Sequence, residues 1–413
     1  MLYSAGGFHK AAAEYNGASF QWENARMTDP DRSGRTRGPG RAIPAILLAA
    51  SLSGCATHET AVTPVGAPPQ RADTIAYLEV HAEPKAWSVT PLDGGRFALT
   101  SHKSGVLEVW ELGPDRRPRR LMQDPRVGFH PDAVRTIDWD DDGRLDLLVA
   151  GEGAGVVQLW RPAGDGVFTL SASVKAPFPP RDVAVGDLDG DGYKDLVVGP
   201  YSGKQVAVYF GKGGFQFDRV LLEALPTPSH PVVVDWDRDG DLDIVWPEWD
   251  KGSIRLARNQ GDRRFETEFL APPTYGLSPR QLAVADLDAD GWQDIVVALE
   301  TAKAARILYN DHGKGIRETE DIPAPVWGYS WATVLGSGPD ALIALSEEGR
   351  IVLARRAGDG WALRQVPAGS LPLDLSFTDL DRDGEPDLLF ANSAGETIGI
   401  VFGPLWEQAR EVE

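Results

Sequence analysis

The sequence predicts an all-β fold, a seven-bladed β-propeller with four-stranded blades, its ring closed by an N-terminal strand. Three observations carry this. An aspartate-rich loop followed by an apolar run recurs five times at a near-constant interval. Short alternating segments separated by turn residues fill each interval. Helical periodicity is nearly absent. Long-range repetition of this kind decides the architecture before any single element does.

The loops come first because they set the phase. "DWDDDGRLD", "DLDGDGYKD", "DWDRDGDLD", "DLDADGWQD" and "DLDRDGEPD" begin at Asp138, Asp187, Asp235, Asp286 and Asp379. All fit D-x-D-x-D-G-x-x-D and all run directly into aliphatic residues. The intervals are 49, 48, 51 and 93 residues, so the last spans two repeats. The missing copy falls on "TVLGSGPDALIAL", which keeps Asp340 and the apolar run without the other aspartates. One repeat upstream of Asp138, "TPLDGGRFALTS" retains only Asp93. The chain thus holds seven copies, five intact and two eroded.

Each loop is followed by a strand, a short break and a second alternating segment such as "VVQLW", "QVAVYF" or "TIGIVF". A turn-rich stretch and another strand follow. Four short strands per repeat of this length match propeller blades. The last repeat lacks its fourth strand, and an orphan, "TIAYLEVHAEP", precedes the first. Ile75 to His81 is therefore expected to pair with Thr397 to Phe402. Closure of that kind removes the exposed sheet edge. The ring spans residues 74–405 and leaves 406–413 as a C-terminal tail.

Carboxylates crowded this closely repel one another, so something positive must sit among them. Oxygen-only sites suit a hard divalent cation, calcium above all. Alternation presents positions 1, 3 and 5 to one centre, the glycine at position 6 permits the sharp turn, position 7 offers its backbone carbonyl, and position 9 adds a carboxylate. The candidate ligands are Asp138, Asp140, Asp142, Arg144 and Asp146; Asp187, Asp189, Asp191, Tyr193 and Asp195; Asp235, Asp237, Asp239, Asp241 and Asp243; Asp286, Asp288, Asp290, Trp292 and Asp294; and Asp379, Asp381, Asp383, Glu385 and Asp387. An EF-hand is excluded, because position 12 is apolar and the flanks are β-rich rather than helical. About five Ca2+ ions are expected.

This fingerprint resembles the FG-GAP/VCBS repeats of bacterial surface proteins and of integrin alpha chains. The resemblance covers roughly residues 74–405. It implies a β-propeller with calcium between the first two strands of a blade. The two eroded copies depart from the pattern, and no metal is carried over to them.

Residues 1–54 read as a signal segment. Arg32, Arg35, Arg37 and Arg41 precede an apolar run, Ile43 to Leu52, that is too short to span a bilayer. It ends in Leu52-Ser53-Gly54-Cys55, which resembles the lipobox of bacterial lipoproteins. Cys55 is the only cysteine, which excludes an internal disulfide and C-x-x-C-H haem attachment. The apolar run starts late for a signal, so Met27 is an alternative start. Residues 55–73 read as a lipidated Cys55 and a Pro/Thr/Ala tether. Ala56 follows the cysteine, which points to the outer membrane of a Gram-negative cell, with attachment through the lipid alone.

From Cys55 onward Lys and Arg number 35 and Asp and Glu 57, a net of −22. Five calcium ions would bring this to about −12. So acidic a chain lacks the basic footprint of a nucleic-acid binder, and none is expected as partner.

In a four-stranded meander the first and third turns share one face, and the second turn and inter-blade connections share the other. The aspartate loops are first turns, so the opposite face is left for a ligand. Arg181, Tyr201, Glu248, Trp249, Tyr329 and Trp331 are the ligand candidates there, with Arg135, Arg280, Glu152, Glu300 and Trp327 nearby. Aromatic platforms beside carboxylates and arginines suit a carbohydrate or protein ligand. No G-x-S-x-G, H-E-x-x-H or P-loop is present. His102, His130 and His230 also fall on this face but in separate loops. Glu248 and Asp250 are a conceivable acid/base pair. Two readings therefore stand: a binding or adhesion module, or a polysaccharide lyase or hydrolase on the same ring. A perturbed Glu or His in a central pocket with basic neighbours would favour the enzyme.

Overall fold

Each repeat folds into one antiparallel four-stranded meander. The computed structural model describes residues 76–81, 85–273, 278–300, 304–324 and 331–412. Cys55, the tether, Ile75, Trp327 and Tyr329 lie outside the described residues. Seven blades form the propeller ring, over residues 86–124, 131–175, 180–223, 232–271, 279–322, 332–367 and 372–401. Blade 3 shows the plan with Pro180–Gly186, Asp195–Pro200, Gln205–Gly211 and Phe217–Glu223. No helix among the described residues is long and apolar enough to cross a membrane.

The burial of each strand explains its composition. Second strands such as Asp195–Pro200 and Asp387–Asn392 are buried at every residue, because both faces of the blade meet a neighbouring blade. They accordingly read as unbroken apolar runs rather than alternating ones. Fourth strands such as Phe217–Glu223 form the outer edge and are mostly exposed. The core lies between blades as seven apolar clusters. Phe97 and Trp110 of blade 1 pack on Ile398 and Phe402 of blade 7, and Val197 and Phe210 of blade 3 pack on Ile244 and Trp246 of blade 4. Each such side chain stabilises by about 1.5–3 kcal/mol on leaving water.

The ring closes as the sequence predicts. Tyr77–His81 completes blade 7 antiparallel to Thr397–Val401, with Tyr77 opposite Val401 and His81 opposite Thr397. Phe402 N–H donates to the Ala76 carbonyl at 2.9 Å, which extends the ladder by one bond. The sequence reading makes residues 406–413 a C-terminal tail, but Trp406 to Glu411 pack against the ring beside the closure. A short helix, Leu405–Gln408, lets the Gln408 side chain accept from Ala76 N–H at 2.8 Å. Arg410–Glu411 then adds a fifth strand to blade 6. Trp406 anchors the segment between Arg355 and Arg364, whose guanidinium carbons sit 5.0 and 4.8 Å from its ring.

Candidate functional site

The five loops are first turns and share one geometry. In four of them the position 1 carboxylate turns back to accept the N–H of the glycine at position 6: Asp138, Asp187, Asp286 and Asp379 accept from Gly143, Gly192, Gly291 and Gly384 at 2.9–3.1 Å. That glycine has φ between +82° and +99° in all five loops. A side chain there would be strained. Position 5 accepts from the N–H of position 7 at 2.9 Å in every loop. Asp187 Oδ1, Asp235 Oδ1, Asp237 Oδ1 and Asp286 Oδ1 are buried and receive no hydrogen bond. In blades 2 to 5 three carboxylate oxygens per loop lie within 4.8 Å of one another. Clustered oxygens, some of them orphaned, fit a hard cation.

Position 9 has a second task. Asp146, Asp195, Asp243, Asp294 and Asp387 are all buried. Asp195 accepts from Leu188 N–H within its loop and from Gly211 N–H at the start of the third turn, both at 2.7 Å. Asp243, Asp294 and Asp387 repeat this pair of bonds. The carboxylate therefore ties the first turn to the third. Burial pushes Asp195, Asp243, Asp294 and Asp387 up to about 6, against the backbone N–H groups that favour their charged form.

Arginines also reach the loops, which the spacing did not reveal. Position 3 of every loop is ion-paired: Arg161 to Asp140 at 2.8 Å, and Arg263 to Asp189, Arg258 to Asp237, Arg317 to Asp288 and Arg116 to Asp381 at 2.6 Å. Arg263 and Arg116 come from a neighbouring blade. Part of the loop charge is thus neutralised by protein.

A family model for the FG-GAP-like repeat matches residues 138–198 and 187–246. The chain carries FG-GAP-like repeats. No curated protein matches it in sequence. Among solved structures it is similar to a catalytically inactive virginiamycin B lyase from Staphylococcus aureus with quinupristin, at 14% identity and a TM-score of 0.55, over 79% of this chain and 99% of the other. It is similar also to BBS1N in complex with ARL6DN, at 14% identity and a TM-score of 0.56, over 80% and 98% of the two chains. At such identity these likenesses show the propeller fold alone.

The face opposite the FG-GAP-like loops has its own repeated geometry. The residue after the second strand donates its N–H to the residue that precedes the first strand: His102 to Lys85, Glu152 to His130, Tyr201 to Pro179, Glu300 to Ser278 and Ser393 to Leu371; in blade 4 Trp249 donates instead to Thr227, which precedes an isolated bridge between Pro228 and Glu248. Five of these acceptors are non-glycine residues with φ between +42° and +60°. The arrangement sets paired side chains around the face. Trp87 stacks on His102 at 4.7 Å, Arg181 lies over Tyr201 at 5.1 Å, and Arg280 lies over Trp249 at 5.2 Å while pairing with Glu300 at 3.2 Å. Trp249 Nε1 donates to Glu300 at 2.6 Å. Trp331 is buried and packs edge-on to His230 at 4.9 Å.

Glu248 stands apart from that face. It is fully buried within blade 4 and accepts from Leu225 N–H, the Ser253 hydroxyl and Arg255 at 2.6–2.8 Å. Asp250 instead accepts from Thr227 at 2.9 Å, so the two carboxylates have separate partners.

Arg135 crosses the axis. It donates to Asp182 of blade 3 at 2.8 Å, to Asp374 of blade 7 at 2.9 Å and to Ser88 of blade 1 at 3.2 Å. Beside it a cavity of about 400 Å3 follows the first strands of blades 2 to 5, lined in part by Arg135, Asp182, His230 and Gln281. His230 is held well below its usual range by burial and by Arg181, Arg135 and Arg280.

Proposed function

We propose that the protein is a calcium-stabilised propeller that works as a binding or adhesion module, tethered to the bacterial outer membrane by a lipid on Cys55. Calcium occupies the five aspartate loops and rigidifies one face. The opposite face takes a carbohydrate or protein partner. One observation carries this reading: the aspartate loops are the first turns of their blades, while the paired aromatic, arginine and carboxylate side chains follow the second strands at the opposite end. Tyr201, itself exposed, and Trp249 offer the stacking surfaces. The test is a glycan and peptide array probed with the calcium-loaded protein. Tyr201→Ala with Trp249→Ala should abolish any hit. Binding that survives both changes and is lost on altering the loop face places the partner on the wrong side.

One observation favours an enzyme. His230 lines the cavity, is kept neutral and is surrounded by three arginines. That suits an anionic polysaccharide, whose binding beside the arginines would restore the basicity they take from His230 and whose developing negative charge they would stabilise. Turnover of such a polymer that is lost in His230→Gln would establish it.

A further inference from the structure

Four side chains from blades 1 and 2 meet on the face opposite the aspartate loops. His102 follows the second strand of blade 1, Arg96–Ser101. His130 and Asp132 open blade 2, and Glu152 follows its second strand, Asp146–Gly151. His102 Nε2 stands 3.2 Å from Asp132 Oδ1 and 3.5 Å from Glu152 Oε2. His130 Nδ1 stands 3.9 Å from the same Glu152 oxygen.

We propose that His102, His130, Asp132 and Glu152 form a binding site for one divalent transition-metal ion, with zinc as the best match. A tetrahedral zinc site with bonds of about 2.0–2.1 Å has ligand-to-ligand edges of about 3.3 Å; His102 meets this with Asp132 at 3.2 Å and Glu152 at 3.5 Å, and ligand atoms of His102, His130 and Glu152 all lie within 4.8 Å of one another. Imidazole with carboxylate is a zinc donor set, whereas the oxygen-only loops suit calcium.

A second observation points the same way. Asp132 is 3% exposed, yet neither of its oxygens receives a hydrogen bond among the described residues. Glu152 Oε2 and His102 Nε2 are in the same condition. Buried polar atoms are rarely left so, and four together are a costly arrangement unless a cation binds them. The rings of His102 and His130 stack at 3.9 Å and 20°, so binding in both ring planes needs one ring to turn. His130 is about one-third exposed and is stacked on its other side at 3.7 Å by Phe129, itself an exposed side chain, so its ring turns only if Phe129 moves with it.

The alternative occupant is a proton: a His102 imidazolium held between two carboxylates. Zinc titration of the calcium-saturated protein separates the two. We expect one zinc ion per chain beyond the loop sites. His102→Ala and, separately, the more exposed His130→Ala should each weaken it more than about tenfold, since losing even a residue that only orients a ligand costs 10–100-fold. Calcium stoichiometry should be unchanged in both. Cobalt as a substitute should give visible bands of nitrogen–oxygen tetrahedral coordination in the parent and lose them in His130→Ala. No zinc uptake by the parent overturns the proposal. So does uptake that both histidine variants retain, because the metal then sits elsewhere. Neither result bears on whether the loops take calcium.

Discussion

Blades 3 and 6 carry the same four-stranded meander on very different first turns. Blade 3 turns through Asp187 to Asp195, with four carboxylates and a buried position 9. Blade 6 turns through a short 3-10 segment, Gly338–Asp340, and Ala341 precedes its second strand where blade 3 has Asp195. Blade 1 is shorter still, with Leu92 directly opposite Arg96 across a three-residue turn. Both eroded blades keep their inter-blade cores. The aspartate loop is therefore no condition of blade formation. Blades 1 and 6 keep their apolar packing and their polar ties to neighbouring blades, such as Arg116 to Asp381 and Trp361 to Glu320, without an aspartate loop, whereas the other five add a cluster of carboxylates.

The largest break in this comparison comes from removing metal. With free calcium about tenfold above Kd, each site stabilises by about 1.4 kcal/mol, and five independent sites by roughly 7 kcal/mol. Over a ring of this size that corresponds to a drop of on the order of 10 °C in melting temperature on chelation. A melt that ignores chelator, with far fewer than five ions bound at saturation, would defeat the calcium reading.

Asp195→Ala converts the blade 3 turn toward that of blade 6 without shortening it. It orphans the Leu188 and Gly211 N–H groups and removes a ligand, for a loss of roughly 3–5 kcal/mol. Denaturant unfolding measures this. A loss below about 1 kcal/mol would mean that the turn relaxes as blade 6 has done.

Acidity separates the two kinds of blade next. The buried position 9 carboxylates have folded-state values of about 6 for Asp195, Asp243, Asp294 and Asp387, above the 3.8 of the unfolded chain. A raised acid favours the protonated fold, so its contribution is present at low pH and lost as pH rises through about 6. Metal-free protein should gain stability from these groups between pH 7 and pH 4, and calcium-loaded protein should lose its calcium contribution over the same range. Melts at fixed ionic strength test both signs.

A smaller change sharpens the role of the arginines. Arg258→Gln removes the partner of Asp237 in a mostly buried pair, together with its pair to Glu268 and its bond to the Gly313 carbonyl, for a loss of about 1–2 kcal/mol. The chelated protein should lose that much and the calcium-loaded protein less, so the response to chelator should grow. Asp340→Ala, in the eroded turn, should stay within about 0.5 kcal/mol and leave the calcium count unchanged.

The loops and the blades were legible because both are local in sequence. D-x-D-x-D-G fixes a turn within nine residues, and a fully buried second strand declares itself as an unbroken apolar run. The closing strand was legible for a related reason: a missing element at one end matched an orphan at the other. The arginines were not. Arg116 and Arg263 reach Asp381 and Asp189 from adjacent blades, at separations no repeat rule specifies. Glu248 belongs to the second-turn segment "PEWDKG", which points to the face, but its side chain is buried within the blade on Leu225, Ser253 and Arg255.

The sequence by itself determined the number of blades, the position of the acidic loops and the closure of the ring. Each of these follows from periodicity and from a backbone that must pair its own hydrogen bonds. Only the tertiary structure decided which residues meet around the axis. Arg135 touches Ser88, Asp182 and Asp374 across four blades, and His102 joins His130, Asp132 and Glu152 across an inter-blade seam. The reason is geometric. Ring curvature brings together residues that lie tens to hundreds apart in the chain, and nothing in the local spacing of a single repeat records how far the next blade is turned.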